Sequence, residues 1–106
     1  MKLTANQIRY LLVIRQLNEE KHIVKSVDIA NIFGYSRASV HKMLVCLRRL
    51  GCVEKGRHCS VNLTLNGAKM AKCCQKDYDQ LTEVLKPLVK IDESYSLAIC
   101  NLIEKM

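Results

Sequence analysis

The chain of 106 residues contains few aromatic side chains: four tyrosines, one phenylalanine and no tryptophan. Proteins that stack the bases of single-stranded nucleic acid on aromatic rings need more of them, so the composition disfavours that class. A membrane-spanning helix needs about 18 or more successive apolar residues, and no segment approaches that length. Charged residues also interrupt the first twenty positions, which argues against a secretory signal peptide. We therefore expect a cytoplasmic protein that makes no contact with membranes.

Recognisable catalytic motifs are also absent. The sequence has no phosphate-binding loop, no Ser-His-Asp arrangement and no paired carboxylates for acid–base catalysis. Its histidines are His22, His41 and His58, which we place in a loop, on a helix face and in a hairpin. The six cysteines contain no Cys-x-x-Cys pair, and in a reducing compartment we expect free thiols. Length and composition thus predict one small domain that is not an enzyme.

Lysine and arginine are concentrated in the first three quarters of the chain. Residues 1–76 hold 14 Lys and Arg against 4 Asp and Glu, a charge of +10. Residues 77–106 hold 3 against 6, a charge of −3. A basic body followed by an acidic tail indicates that a polyanion binds the first part and that the second has another role.

The spacing of apolar residues predicts three helices in the first half, at about residues 4–20, 26–34 and 36–51. Each has recognisable start or stop residues, which favour caps or left-handed backbone. In chain order these are Thr4 with Gln7, Ser26, Gly34, Ser36 and Gly51. Ala30, Gly34 and Val40 add the small, turn-forming and buried positions that a helix-turn-helix requires.

The hydrophobic period then changes from helix to strand. Val53 and residues 61–65 alternate with polar positions around the stretch 54–58, which predicts a β-hairpin with a basic tip. We expect Asn66 and Gly67 to close this hairpin and open a fourth helix that ends before Pro87. Asp92 is the expected cap of the last helix.

The order of elements is that of a winged helix-turn-helix. The predicted fold is therefore mainly α (α+β), with a two-stranded β wing and C-terminal dimerisation helices. Residues 1–66 are expected to form the DNA-binding domain and residues 67–106 the helical dimerisation tail, together as one compact unit. A recognition helix enters the major groove by its N-terminal residues, while a wing contacts phosphates or the minor groove.

The third helix and the hairpin supply the predicted DNA contacts. With its apolar face turned inward, the helix offers four side chains to base edges, and its serine cap suits a backbone phosphate. The end of the helix and the wing supply phosphate or minor-groove contacts. The predicted DNA-binding residues are Ser36, Arg37, Ser39, His41, Lys42, Arg48, Arg49, Lys55, Arg57 and His58.

Several runs of this half form a recognisable pattern: residues 27–30, 34–44, 51–54 and 61–64, followed by Gly67. The pattern resembles the metal-dependent repressors of the diphtheria-toxin-repressor and manganese-transport-regulator family, over about residues 4–75. The resemblance implies a winged helix-turn-helix that dimerises through its fourth and later helices. It also implies a divalent metal, manganese or iron, bound between the first helix and the tail, which switches DNA affinity.

The implied metal ligands are largely missing from this chain. Residues 3–6 are Leu-Thr-Ala-Asn, without the early acidic residue or methionine of the family. The histidine of the long helix is replaced by Asp77 or Asp79, and the tail motif retains only Glu104, with Lys105 in place of histidine. By ligand count, the manganese or iron site is lost.

Two alternatives stay open beside DNA binding: a cysteine-based sensor of metal or oxidation, and an interaction module. Cys73, Cys74 and Cys100 lie on the predicted tail helices, where thiolates could hold a soft ion such as zinc or copper(I), or sense oxidation. A winged helix can also serve as a protein–protein or RNA interaction module. A DNA reader needs Arg37, Lys42 and the wing exposed together, whereas a protein-interaction module would show an apolar patch there. We expect a sequence-specific transcriptional regulator, a repressor, that binds an inverted repeat of double-stranded DNA as a homodimer through residues 67–106.

Overall fold

The computed structural model describes residues 2–21, 23–92 and 94–106, so His22 lies outside the described residues. These residues form five α-helices and one antiparallel two-stranded sheet. The elements are α1 (Ala5–Glu20), α2 (Ser26–Phe33), α3 (Arg37–Arg49), β1 (Val53–Lys55), β2 (Val61–Leu63), α4 (Leu65–Leu85) and α5 (Tyr95–Lys105). A short 3₁₀ turn at Arg57–Cys59 joins the strands. The predicted winged helix-turn-helix is confirmed. No described helix is long and apolar enough to cross a membrane.

Helix α1 forms the centre of the molecule. The predicted capping box is present, with the Thr4 side chain accepting from the Gln7 N–H and the Gln7 side chain accepting from the Thr4 N–H. Its inner face is fully buried at Leu11 and Ile14, and the helix packs against α4, α5 and β2. The N-terminal half and the tail helices therefore share one core.

The helix-turn-helix pair follows the predicted pattern except at its start. Gly34 ends α2 in the left-handed conformation, with φ 71°, and Ala30 is buried. Ser26 was expected to cap α2 but is its first helical residue. Lys25 holds the cap position instead, because the Asp28 carboxylate reaches back and accepts from the Lys25 N–H at 2.9 Å.

The wing is shorter than the sequence predicted. Its strands pair from Val53 with Leu63 to Lys55 with Val61. Leu65, expected in the hairpin, is the first residue of α4 and is 76% exposed. Thr64 caps α4 by accepting from the Gly67 N–H at 2.9 Å, so residues 66 and 67 lie in the first helical turn and do not close the hairpin.

The outer edge of β2 is bonded to two other segments. The Val61 N–H donates to the Val24 carbonyl at 2.6 Å. The Asn18 side chain of α1 donates to the Val61 carbonyl at 3.1 Å and accepts from the Leu63 N–H at 3.3 Å. These bonds fix the wing to α1.

The tail pairs α4 with α5. As predicted, α4 ends before Pro87. Tyr95 fixes the pair, since its hydroxyl donates to Thr82 Oγ1 at 2.6 Å and its ring meets Tyr78 edge-on at 6.0 Å. Asp92, the expected cap of α5, lies further out: its carboxylate accepts from the Ser94 N–H, and Ser94 holds the cap position. The division into residues 1–66 and 67–106 stays a prediction.

Candidate nucleic-acid interface

Helix α3 is oriented by one buried face and one capping serine. Val40 and Leu47 are fully buried, which turns the opposite face toward solvent. Ser36 caps the helix as predicted, with its Oγ accepting from the Ser39 N–H at 3.2 Å. The free N–H groups and partial positive charge of this first turn favour an anion.

All ten predicted DNA-binding side chains are exposed. Three of them meet at a cleft of about 150 Å³ between α3 and the wing, where His41, Arg48 and Lys55 line the walls. The buried Ser60 lies beside them. The structure therefore brings together Arg48, near the end of α3, and Lys55 of the wing, which are 7 residues apart in the chain.

A second cleft, of about 410 Å³, lies on the other side of α3. Ser39 and Lys42 line it together with Tyr35 and Asn6, neither of which the sequence analysis selected. Tyr35 is an exposed aromatic residue directly before Ser36, the cap of α3. That position next to the cap could have identified it as a candidate contact residue. Its hydroxyl accepts from Arg9 Nη1 at 2.9 Å.

Arg9 could not be identified from sequence, because its role depends on how α1 packs. Its guanidinium lies 4.7 Å from the centre of the Phe33 ring, and the Phe33 ring stacks on Tyr35 at 5.2 Å. These contacts hold the turn of the helix-turn-helix against α1.

The tip of the wing has unusual backbone geometry. His58 and Cys59 have φ of 56° and 59°, in the left-handed region that non-glycine residues rarely adopt. The turn is closed by the Gly56 N–H donating to the Ser60 carbonyl at 2.9 Å. This conformation leaves the side chains of Arg57 and His58 exposed. Arg37 and Arg49 are exposed near the two ends of α3 and line neither cleft.

The positive charge of this surface is not neutralised within the described part of the chain. The ion pairs found there are Arg15 with Glu19 at 3.9 Å and Lys21 with Asp28 at 3.1 Å. Neither pair includes a predicted DNA-binding residue. The face is therefore suited to a polyanion.

The candidate ligands of a manganese or iron ion do not form a site. Among residues 2–21, 23–92 and 94–106, no three His, Cys, Asp or Glu side chains lie close enough to hold a metal. Asp79 accepts from Gln75 Nε2 at 2.9 Å, and Glu104 Oε1 accepts from the Ala5 N–H at 2.7 Å. The residues present do not fit a hard divalent ion.

The tail cysteines differ in their surroundings. Cys73 is exposed and Cys74 is half-buried, whereas Cys100 is fully buried in the core. Burial raises the pKa of the Cys100 thiol to about 11. A thiol in such a place is a poor nucleophile, which disfavours Cys100 as an oxidation sensor.

The geometry defines a winged helix-turn-helix with a basic recognition helix and wing. The sequence model of the iron dependent repressor family, N-terminal DNA binding domain, matches residues 2–58, slightly more than half of the chain. The chain belongs to this family and is a DNA-binding transcriptional regulator. The expectation of DNA as a partner and the recognition of the family are thereby confirmed. The family is metal-dependent in general, although the described residues contain no metal-binding cluster.

Two solved structures share the fold. A hypothetical protein from Sulfolobus solfataricus is 22% identical, with a TM-score of 0.69, over 98% of this chain and 79% of that one. Ligand-free NadR is also 22% identical, with a TM-score of 0.60, over 92% of this chain and 72% of that one. No curated protein sequence matches the chain.

Proposed function

We propose that this regulator is a repressor that binds an inverted repeat of double-stranded DNA as a homodimer. The observation that carries the proposal is the placement of exposed cations on both sides of α3: Lys42 at one cleft, Arg48 and Lys55 at the other. A helix in the major groove has a phosphate backbone on each side, and basic side chains flanking α3 match that arrangement.

Within this surface, the proposed roles follow from position. Arg37, Ser39, His41 and Lys42 lie in the first turns of α3 and would read base edges in the major groove. The N–H groups of the turn capped by Ser36 would bind a phosphate. The remaining predicted residues, at the end of α3 and in the wing, would contact phosphates or the minor groove: Arg48, Arg49, Lys55, Arg57 and His58.

The proposed dimer rests on apolar side chains that the single chain leaves exposed in the tail. Leu88 is 75% exposed and Val84 is 66% exposed. The large apolar side chains that the tail leaves exposed are Val84, Leu88, Val89, Ile91, Leu97, Leu102 and Met106. A two-fold contact through residues 67–106 would bury them and set two copies of α3 about one DNA turn, ~34 Å, apart.

We further propose that the protein acts by binding and not by catalysis, and that its DNA affinity does not depend on manganese or iron. The support for independence from these metals is that the candidate ligands Glu104 and Asp79 already accept hydrogen bonds within the chain. A protein-binding role is less well supported, because the predicted contact residues on α3 and the wing are polar or charged and not apolar.

The test is selection of bound sequences from a random double-stranded DNA library, followed by fluorescence anisotropy on the best sequence. Replacing Arg37 and Lys42 by Ala should weaken specific binding about 100-fold, since each base contact contributes about 1–3 kcal/mol. The charge-matched control, Lys72→Ala with Lys76→Ala on α4, should bind like the wild type. Intact binding by the first double variant would refute the assignment of α3. Analytical ultracentrifugation of the free protein tests the dimer.

A further inference from the structure

Sulfur atoms are concentrated around one cavity that the proposed DNA contacts do not use. The cavity, of about 470 Å³, lies between the start of α1, the first half of α4 and the end of α5. Met70, Cys73, Cys74 and Met106 line it. A fifth sulfur atom lies beside this wall, because Cys52 Sγ is 3.7 Å from Met70 Sδ.

Three of these sulfur atoms come from two segments of the chain that pack against each other, and two of the three are in contact. Met70 and Cys74 are four residues apart in α4, so they are neighbours on one face of the helix. Cys52 lies between α3 and β1 and contacts Met70. Cys74 and Met70 both line the cavity, and Cys74 is half-buried there.

The junction that carries Cys52 is held rigidly against α4. A Cβ atom on Gly67 would overlap the backbone carbonyl of Cys52, so the two segments touch there without a side chain between them. Cys52 itself is fully buried. The position of the Cys52 sulfur is therefore set by close packing, and Met70 reaches it from the first half of α4.

The donor atoms, two thiolates and one thioether, favour a particular kind of ion. Thiolates and thioethers together select copper(I), whereas zinc sites are built from about four Cys, His or carboxylate ligands. No three such side chains gather in the described parts of the chain. Metal–thiolate bonds are about 2.3 Å long, so sulfur atoms 3.7 Å apart can bind the same ion without moving.

We propose that Cys52, Met70 and Cys74 bind one copper(I) ion, which enters through the cavity. Binding replaces the thiol protons of the two cysteines and involves no change of oxidation state. The ion joins the segment directly after the recognition helix to the start of the tail. Copper binding stands on its own geometry, while an effect of copper on DNA affinity rests on the function proposed above.

The experiment titrates the reduced, metal-free full chain with copper(I) under anaerobic conditions, against a coloured copper(I) chelator. The wild type is expected to retain one copper(I) per chain. Cys74→Ser abolishes this retention, and Met70→Leu, which nearly conserves volume and fold, weakens it. Cys59→Ser, which removes an exposed thiol from the wing, serves as the matched control and binds like the wild type.

Equal copper retention by the wild type and the folded Met70→Leu and Cys74→Ser variants overturns the site, as does equal loss in Cys59→Ser. Circular dichroism shows that each variant is folded. DNA affinity of the metal-free protein is measured on the same samples. Absent copper binding with intact DNA binding overturns the copper site alone, and the opposite result overturns the proposed function alone.

Discussion

The surface formed by α3 and the wing differs from the tail in what its charged side chains contact. On α3 and the wing, cations such as Lys42 and Lys55 face solvent with no acidic partner among the described residues. In the tail, Glu104 bonds the backbone of α1 and Asp79 bonds a neighbouring side chain. Cations without acidic partners that are grouped around α3 and the wing suit an anionic ligand, whereas the bond from Glu104 to Ala5 joins two helices. Charged side chains therefore have different expected roles in the two regions.

A substitution at the junction between the two halves, where α4 touches the segment after α3, is expected to have the largest effect on stability. Gly67→Ala puts a methyl group on the Cys52 carbonyl, so α4 must move away from the wing. We expect a loss of about 3 kcal/mol in the free energy of unfolding, the upper range for overpacking. Urea denaturation measures it. Gly56→Ala is the control, because the atoms nearest to its Cβ belong to the side chains of Asn62 and Ser60 and not to the backbone. A larger loss there would contradict the assignment.

The wing tests the unpaired charges of the first half. Lys55→Ala combined with Arg57→Ala removes two exposed cations without touching the core. The variant should weaken binding to all DNA sequences and reduce the slope of log affinity against log salt by about 1.8, since each lost phosphate contact removes about 0.9. Anisotropy at several salt concentrations gives the slope. An unchanged slope would show that the wing does not contact phosphates.

Glu104 tests the paired groups of the tail. Glu104→Ala leaves the Ala5 N–H of α1 without its acceptor, and we expect a loss of about 1 kcal/mol in unfolding free energy. Glu104→Gln keeps an acceptor oxygen and should recover most of the loss. Lys105→Ala, one position further on, should change little. If Mn²⁺ stabilised the wild type but not Glu104→Ala, Glu104 would be a metal ligand and not only a backbone partner.

The smallest expected effect concerns acid stability. The Lys25 N–H, followed by the Lys21 side chain, holds the pKa of Asp28 below its usual value. Because the folded pKa is the lower one, the stabilisation is complete above the pKa of unfolded aspartate and is lost as pH falls through the folded pKa. Asp28→Asn should flatten the acid limb of a stability–pH curve. Identical curves for wild type and Asp28→Asn would contradict this.

The sequence predictions were correct where the signal is local to a few residues. Thr4, Gly34 and Ser36 were assigned correctly because capping and left-handed turns depend on residues only a few positions apart. Ser26 was misassigned for a related reason: Asp28 competes for the same helix end, and a carboxylate that reaches back bonds the preceding N–H.

The two clefts and the sulfur cavity could not be predicted. They depend on how α1 packs against the turn before α3 and on how closely α4 approaches Cys52, and neither contact has a local signal. Gly67 illustrates the difficulty. Its sequence context favoured the end of a hairpin, whereas its actual role is to allow two backbones to touch.

The bonds that Asn18 and Val24 make to β2 have a consequence for assembly. A strand with free N–H and carbonyl groups along its side is a template on which another chain can add a strand. Here the N–H and carbonyl of Val61 and the N–H of Leu63 are occupied. The opposite edge of the ribbon carries the exposed charges of residues 54 and 55, which discourage such addition. A two-stranded wing can thus extend into solvent without promoting edge-to-edge aggregation.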